Sequence, residues 1–447
     1  MSDPASPTSA ARSSNARGGD AVLLRAVGTF ALTAAVINVI VGGGIFRMPA
    51  ALSAQMGAAA PLALVAGALA IVPIALCFAA VGSRVQVTGG PYSYLSVTFG
   101  PFAGFLGGAL MWISNFTSSA GVAAALSVQV ANLVPALAPP LPRALLLAAV
   151  YGLLFALNAH GVKLGARTIT ALAALKLTPL FALAGIGLFF VDWSQVSFVP
   201  GDVPSLNALG ASMVLVMFAY SGMETALVPS GEINNPARSV PRATLAAIAL
   251  VVLLYLALQI VGQGVLGSAL GSSGVPVADT AGALWPQART LLLVTACVSM
   301  VGFLMGNLFG TSRLVFALGR DGYLPRRFAS VSATRRVPLW ALSAHALLAC
   351  TLAIVGNFEA LALVSGGAIC LVYALVSLAA WRAQSRDLRE RGDRPFTLAG
   401  GALIPMLAMA AMLAILATLS AQEWLAIGTA LAVLVVVYAL LRQRRAG

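Results

Sequence analysis

Two apolar runs of this chain are interrupted by small residues at midspan, Val41-Gly42-Gly43-Gly44-Ile45-Phe46 and Phe218-Ala219-Tyr220-Ser221-Gly222-Met223-Glu224, about 180 residues apart. Inside a bilayer an unwound stretch of backbone leaves N–H and C=O groups without partners, which is tolerated only where they line a cavity or hold a ligand. Glycine permits both the unwinding and the close approach of a ligand. Broken helices in corresponding halves of a repeat are the usual construction of a secondary-transport site, with half-helix N-termini facing an anionic substrate group. The competing reading, that Gly42 to Gly44 only let helices pack closely, is weakened by the matching interruption near Gly222 with an acid beside it.

Ionisable groups at membrane depth are costly and so point to function. Lys176 lies in ALAALKLTPLFAL, nine residues past Arg167 and sixteen before Asp192, and it is one of two lysines among 24 arginines. An ammonium can lose its proton where a guanidinium cannot. One reading sets Lys176 against the unwound carbonyls near Asn38 and Val41, standing in for a bound sodium ion and loading a proton in each cycle. The other has it snorkel to the cytoplasmic face, a reach of roughly 13 Å to the span end. Glu224 follows Gly222 where a second half-helix begins; it is read either as a cap at the helix dipole or as a proton-responsive gate. Arg47 is expected in a vestibule, reaching outward. Phe218 and Tyr220 are candidates for an aromatic lid. Ser114, Asn115, Ser299 and Asn307 are polar groups at depth that either line the cavity or bond a neighbouring helix. His160 and His345 lie near span ends and are assigned no role.

The elements that position these residues follow from composition. The chain is 60% hydrophobic and 9% charged, with a mean hydropathy of +0.95, which excludes an ordinary soluble globule. Runs of roughly 20 apolar residues are long enough to cross a bilayer as helices. Twelve are expected, centred near Val39, Val72, Gly108, Tyr151, Pro179, Phe218, Leu254, Val301, Leu347, Cys370, Ala411 and Val433. Residues 1–22 read as a disordered cytoplasmic tail, because they are rich in Ser, Ala and Pro and hold no apolar core.

The net charge of +13 would suggest nucleic acid in a soluble domain, but 22 of the 26 basic residues fall in the tails or in alternate loops, including the stretches Arg313 to Arg336 and Arg382 to Arg394. That asymmetry puts both termini and those loops in the cytoplasm. The opposite loops carry mostly acids, among them Asp192, Asp202, Asp279 and Glu359. If the interruptions fall in spans 1 and 6, five spans separate equivalent positions, and the second copy is inverted. The expected organisation is an all-α polytopic membrane protein with one repeat over residues 23–195, a second over 203–383, and two plain spans over 398–442.

No Walker loop, HExxH, GxSxG or CxxC is present, and the acids at depth are too few for a paired-carboxylate site. The four cysteines lie in apolar stretches, so neither a disulfide framework nor a zinc site is expected. No enzyme activity, cofactor, metal or nucleic-acid partner is therefore expected. Gly89-Gly90-Pro91, after span 2, reads as a loop rather than a phosphate cradle.

These residues resemble a known family. Gly42-Gly43-Gly44-Ile45-Phe46 is similar to the GSGIF-type break in span 1 of the amino acid-polyamine-organocation permeases. Phe218 to Ala243, FAYSGMETALVPSGEINNPARSVPRA, looks like their span 6 signature. TGGPYSY and Arg320-Asp321-Gly322-Tyr323-Leu324-Pro325 are also similar. The resemblance implies a LeuT-like five-plus-five inverted repeat with discontinuous spans 1 and 6, and transport of an amino acid or related amine across the bacterial cytoplasmic membrane, as a monomer or homodimer. It implies that substrate amino and carboxyl groups sit on backbone atoms of Ile40, Val41, Gly42, Gly43 and Gly44 and of Phe218, Ala219, Tyr220, Ser221 and Gly222, with Asn307 near the pocket and Phe218 as an aromatic gate. It also implies that Lys176 occupies the vacated ion site with Ser299 as its partner. Gly43 replaces a common serine, and Asn307 falls about where certain members carry a tryptophan, so no antiporter subgroup is assigned. The function expected is sodium-independent, proton-coupled amino acid transport. Obligate exchange is the alternative; a membrane sensor is disfavoured because the longest hydrophilic loops run to only about 20 residues.

Overall fold

The computed structural model describes residues 27–160, 162–389, 394–419 and 421–446. The expected tail at 1–22 lies outside the described residues, as do the first residues of the repeat expected to start at 23. A helix covers each expected span centre: α1 (Thr29–Ile40), α2 (Gly44–Met56), α3 (Ala60–Gly82), α4 (Pro91–Phe99), α5 (Pro101–Leu133), α6 (Pro140–Ala159), α7 (Val162–Gly187), α8 (Leu206–Tyr220), α9 (Met223–Ala226), α10 (Pro236–Leu266), α11 (Pro276–Leu284), α12 (Pro286–Arg320), α13 (Leu339–Val355), α14 (Phe358–Ser385), α15 (Leu403–Ala417) and α16 (Ala421–Ala446). Among the described residues, seven helical stretches of 20–39 residues are long and apolar enough to cross a membrane, and five shorter apolar helices accompany them.

Local sequence sets the helix starts. Proline in the first turn opens α4, α5, α6, α10, α11 and α12, where the missing N–H costs nothing and φ is already helical. The Ser205 and Asn357 side chains accept from backbone N–H groups at the starts of α8 and α14. The burial pattern suits a bilayer: Leu253, Leu347 and Leu425 point outward, while Asn38, Asn115, Ser299 and Asn307 are buried. Lipid offers no hydrophobic drive to bury leucine, so close packing and interhelical hydrogen bonds hold the interior together.

The two interrupted helices pack crosswise. α1 lies against α9, and α2 lies against α8, so each half of one meets the opposite half of the other. α7, α10 and α12 surround α1, and α5 packs along both α12 and α14. α15 and α16 sit against the outside of α14 and α5, respectively.

One loop expectation holds at Gly89-Gly90 but ends at Pro91, and a second is corrected. Pro91–Phe99 is helical, because Pro91 starts a new helix directly after the Gly89-Gly90 turn. Arg313 is not a loop residue: α12 runs on to Arg320, and Arg313 is buried within it, 3.6 Å from the equally buried Glu232 carboxylate. Its charge is satisfied inside the protein and does not face the cytoplasm.

Candidate functional site

α1 ends at Ile40 and α2 begins at Gly44. Between them the Val41 N–H reaches back to the Ile37 carbonyl and the Gly42 N–H to the Ile40 carbonyl, which tightens the chain before it rewinds. The first turn of α2 leaves N–H groups without intrahelical acceptors, pointing into the interruption. In the second interrupted helix, α8 stops at Tyr220, Ser221 is extended, and Gly222 adopts φ +132° before α9. A Cβ on Gly222 would lie 3.0 Å from the Ile40 nitrogen and the Val39 carbonyl carbon. The two interruptions touch there, and only glycine fits both that φ and that contact.

Side chains from three helices take up the carbonyls exposed at the first interruption. Lys176 of α7 is fully buried, and its Nζ donates to the Asn38 carbonyl at 2.8 Å and the Val41 carbonyl at 2.6 Å. Ser299 of α12 donates through Oγ to the Val41 carbonyl at 2.8 Å and to that of Gly42 at 3.3 Å. Tyr255 of α10 donates to the Ile40 carbonyl at 2.9 Å. The ammonium points at the helix break and not toward a membrane face, so the snorkelling geometry is not the one adopted.

Glu224 caps the second interruption. Both carboxylate oxygens accept from the Gly222 N–H, at 2.9 and 3.0 Å, and the Tyr373 hydroxyl of α14 donates to one of them at 2.7 Å. Next to it the Thr225 hydroxyl donates to Asn115 Oδ1, and Asn115 Nδ2 donates to Thr311, linking α9, α5 and α12. Ser114 likewise bonds Ser365 of α14.

A small cavity lies between the interruptions. Ile40, Gly42, Gly43, Gly44, Phe218, Ala219 and Ser221 line it, as does Val39 beside them. Four other expected residues do not. Val41 has its carbonyl committed to Lys176 and Ser299. Tyr220 stacks on Tyr255, with ring centroids 5.7 Å apart. Gly222 abuts the α1 backbone. Asn307 Oδ1 pairs with His345 Nε2 of α13 at 2.8 Å, both groups buried, so it joins two helices. Four lining residues were missed: Val39 on α1, Ser118 and Val122 on α5, and Phe303 on α12. An apolar valine and phenylalanine carry no functional signal in a membrane helix; the one hint was that Ser118 and Val122, four apart, share a helix face.

Over one side of the cavity the Phe218 ring meets Phe358 edge-on at 5.7 Å. Nearby, Arg47 of α2 is paired with Glu359 of α14 at 2.6 Å and donates to the Gly274 carbonyl at 2.5 Å. On the arginine-rich side, Val27 and Ile233 form a parallel bridge, and Thr29 bonds Ser239.

The amino acid permease family model matches residues 27–441. The chain belongs to the amino acid permease family. Its relatives include the serine/threonine exchanger SteT of Bacillus subtilis, 27% identical over 394 residues that cover 85% of this chain and 87% of the relative. The methylthioribose transporter of Bacillus subtilis is 29% identical over 71% of this chain and 72% of its own length. The b(0,+)-type amino acid transporter 1 of Mus musculus is 26% identical over 82% and 78%. Among solved structures, MhsT in complex with L-phenylalanine superposes with a TM-score of 0.63 at 16% identity, covering 87% of this chain and 97% of that one. That likeness gives the permease a LeuT-like fold.

Proposed function

We propose that this permease is a sodium-independent secondary transporter that carries an amino acid across the membrane by alternating access, with a proton as the coupled species. The observation that supports this most directly is the Lys176 ammonium bonded to the Asn38 and Val41 carbonyls beside Ser299. Carriers of this construction use unwound carbonyls and half-helix C-termini to coordinate sodium. A fixed positive charge at those carbonyls takes the ion's place, and a lysine can shed that charge where an arginine cannot. Its charge state then biases the balance between outward- and inward-open forms.

The substrate carboxylate is assigned to the N–H groups opening α2, and its ammonium to the carbonyls closing α8, since these are the cavity's peptide groups of matching polarity. Arg47–Glu359 and Phe218–Phe358 then close one face over the ligand. The topology proposed has twelve crossings of the bacterial cytoplasmic membrane with both ends inside, repeats over 23–195 and 203–383, and two outer spans over 398–442. An exchanger among the relatives keeps obligate exchange as a second reading.

The test is uptake of labelled amino acids into proteoliposomes. Accumulation without sodium, driven by a proton gradient and entering vesicles empty of amino acid, is expected. Strict sodium dependence overturns the reading, and uptake only into preloaded vesicles replaces it with exchange.

A further inference from the structure

With the substrate's two charged groups on the peptide groups of α2 and α8, the remaining cavity walls belong to α5 and α12. Those walls press directly on the first interruption. A Cβ on Gly42 would lie 2.6 Å from Phe303 Cδ2, and one on Gly43 would lie 2.8 Å from Val122 Cγ1. The phenyl ring and the isopropyl group therefore rest on the bare backbone from two directions. Both are held among other buried side chains, with Val122 1% and Phe303 6% exposed. Only about 10 Å³ of the cavity is open to a water-sized sphere, about the room one water needs, so a substrate side chain of any length must displace these walls. The lining includes no Asp, Glu, Lys, Arg or His side chain, so a charged substrate side chain would enter without a counter-charge, at heavy desolvation cost.

One polar side chain in this wall is uncommitted. Ser221, the other hydroxyl lining the cavity, donates to the Phe218 carbonyl at 2.6 Å. Ser118 is nine-tenths buried, faces the cavity, and has no hydrogen-bond partner among the described residues. That hydroxyl opens into the cavity, where a substrate group is positioned to bond it.

We propose that the site selects amino acids with small uncharged side chains, from alanine to threonine in size, with Phe303 and Val122 setting the size limit and Ser118 meeting the substrate side chain. This rests on the transport reading above but is tested separately from it. The full chain, purified in detergent, is titrated with glycine, alanine, serine, threonine, leucine, phenylalanine, arginine and glutamate, and affinities are read from the rise in melting temperature that a native-state ligand produces. Alanine, serine and threonine are expected to bind roughly tenfold or more tightly than leucine and phenylalanine, the penalty for forcing extra methylenes into a closed apolar wall. Phe303→Ala and Val122→Ala are expected to narrow that gap. Ser118→Ala is expected to weaken serine relative to alanine by about fivefold, one neutral hydrogen bond.

Leucine or phenylalanine binding the wild-type protein as tightly as alanine overturns the proposal with no variant needed. So does an unchanged order of preference in a folded Phe303→Leu protein, the milder reduction to use if Phe303→Ala is unstable. Binding of none of the eight overturns the transport reading together with this one, whereas size selection accompanied by sodium-dependent uptake leaves this proposal standing and removes the other.

Discussion

The Nζ of Lys176 lies 2.6 Å from the carbonyl oxygen of Val41, the residue that caps α1. The same oxygen accepts from Ser299, so one peptide group at the break is shared by α7 and α12. The helix end and the buried charge hold each other: the break supplies carbonyls to a cation that forms no ion pair among the described residues, and the cation fixes where the helix may stop. A change at either should register in both stability and transport.

Lys176→Met removes the ammonium and leaves the Asn38 and Val41 carbonyls short of a donor. A loss of about 1–3 kcal/mol in stability is expected, read as a lower melting temperature, together with loss of uptake. Lys176→Arg is the more informative variant, because it keeps the positive charge but cannot release a proton. It should retain substrate-induced thermal stabilisation while uptake becomes insensitive to an imposed pH gradient. An arginine variant that still follows the gradient would remove Lys176 from the coupling step.

Gly222→Ala tests the contact between the interruptions. The new Cβ would have to tolerate φ +132° and approach the α1 backbone to 3.0 Å. Backbone strain of this kind costs on the order of 1–3 kcal/mol before the steric overlap is added. Reduced yield of folded protein and a clear drop in melting temperature are expected, against a small change for Gly152→Ala, where a Cβ meets nothing within 4 Å. Equal behaviour of the two variants would mean that the interruptions do not depend on this approach.

Much of the frame was legible in the sequence, because a membrane enforces helix length and exposes misplaced residues. The interruptions were visible as glycine in otherwise apolar runs, and the depth of Lys176 followed from helical rise between Arg167 and Asp192. What sequence did not give was partner identity across the bundle. Asn307 was assigned to the pocket, but its neighbour His345 lies on another helix, 38 residues away. Arg313 was grouped with loop arginines because nothing local indicates that α12 continues to Arg320 or that Glu232 waits beside it. Val122 and Phe303 are indistinguishable by type from lipid-facing residues until the backbone brings them onto Gly43 and Gly42.

Glu224 and Tyr373 form a buried pair whose roles can be separated. Tyr373→Phe removes one donor to the carboxylate and should cost about 1.5–3 kcal/mol, the range for a hydrogen bond to a charged group. Glu224→Ala should cost more than Glu224→Gln, since glutamine keeps an oxygen for the Gly222 N–H and alanine keeps none. Melting temperatures of the two Glu224 variants should therefore rank Glu224→Gln above Glu224→Ala. If Glu224→Ala matches the wild type, the carboxylate is not a cap and its place beside the break requires a different account.

Arg47 and Glu359 bridge α2 and α14 at 2.6 Å, with side chains 20% and 50% exposed. Exposed pairs contribute only about 0.2–1 kcal/mol, so neither Arg47→Ala nor Glu359→Ala should greatly destabilise the fold. The expected effect is on access. With Cys297 and Cys350 replaced, Ser221→Cys places a thiol in the cavity lining, and a membrane-impermeant thiol reagent added from the Arg47 side should label it faster once the pair is broken. Because either substitution alone breaks the pair, the double variant should label no faster than the singles, and high salt should raise the rate of the intact protein by screening the charges. Labelling that ignores both substitutions and salt would show that the face is closed by Phe218 and Phe358 without help from the ion pair.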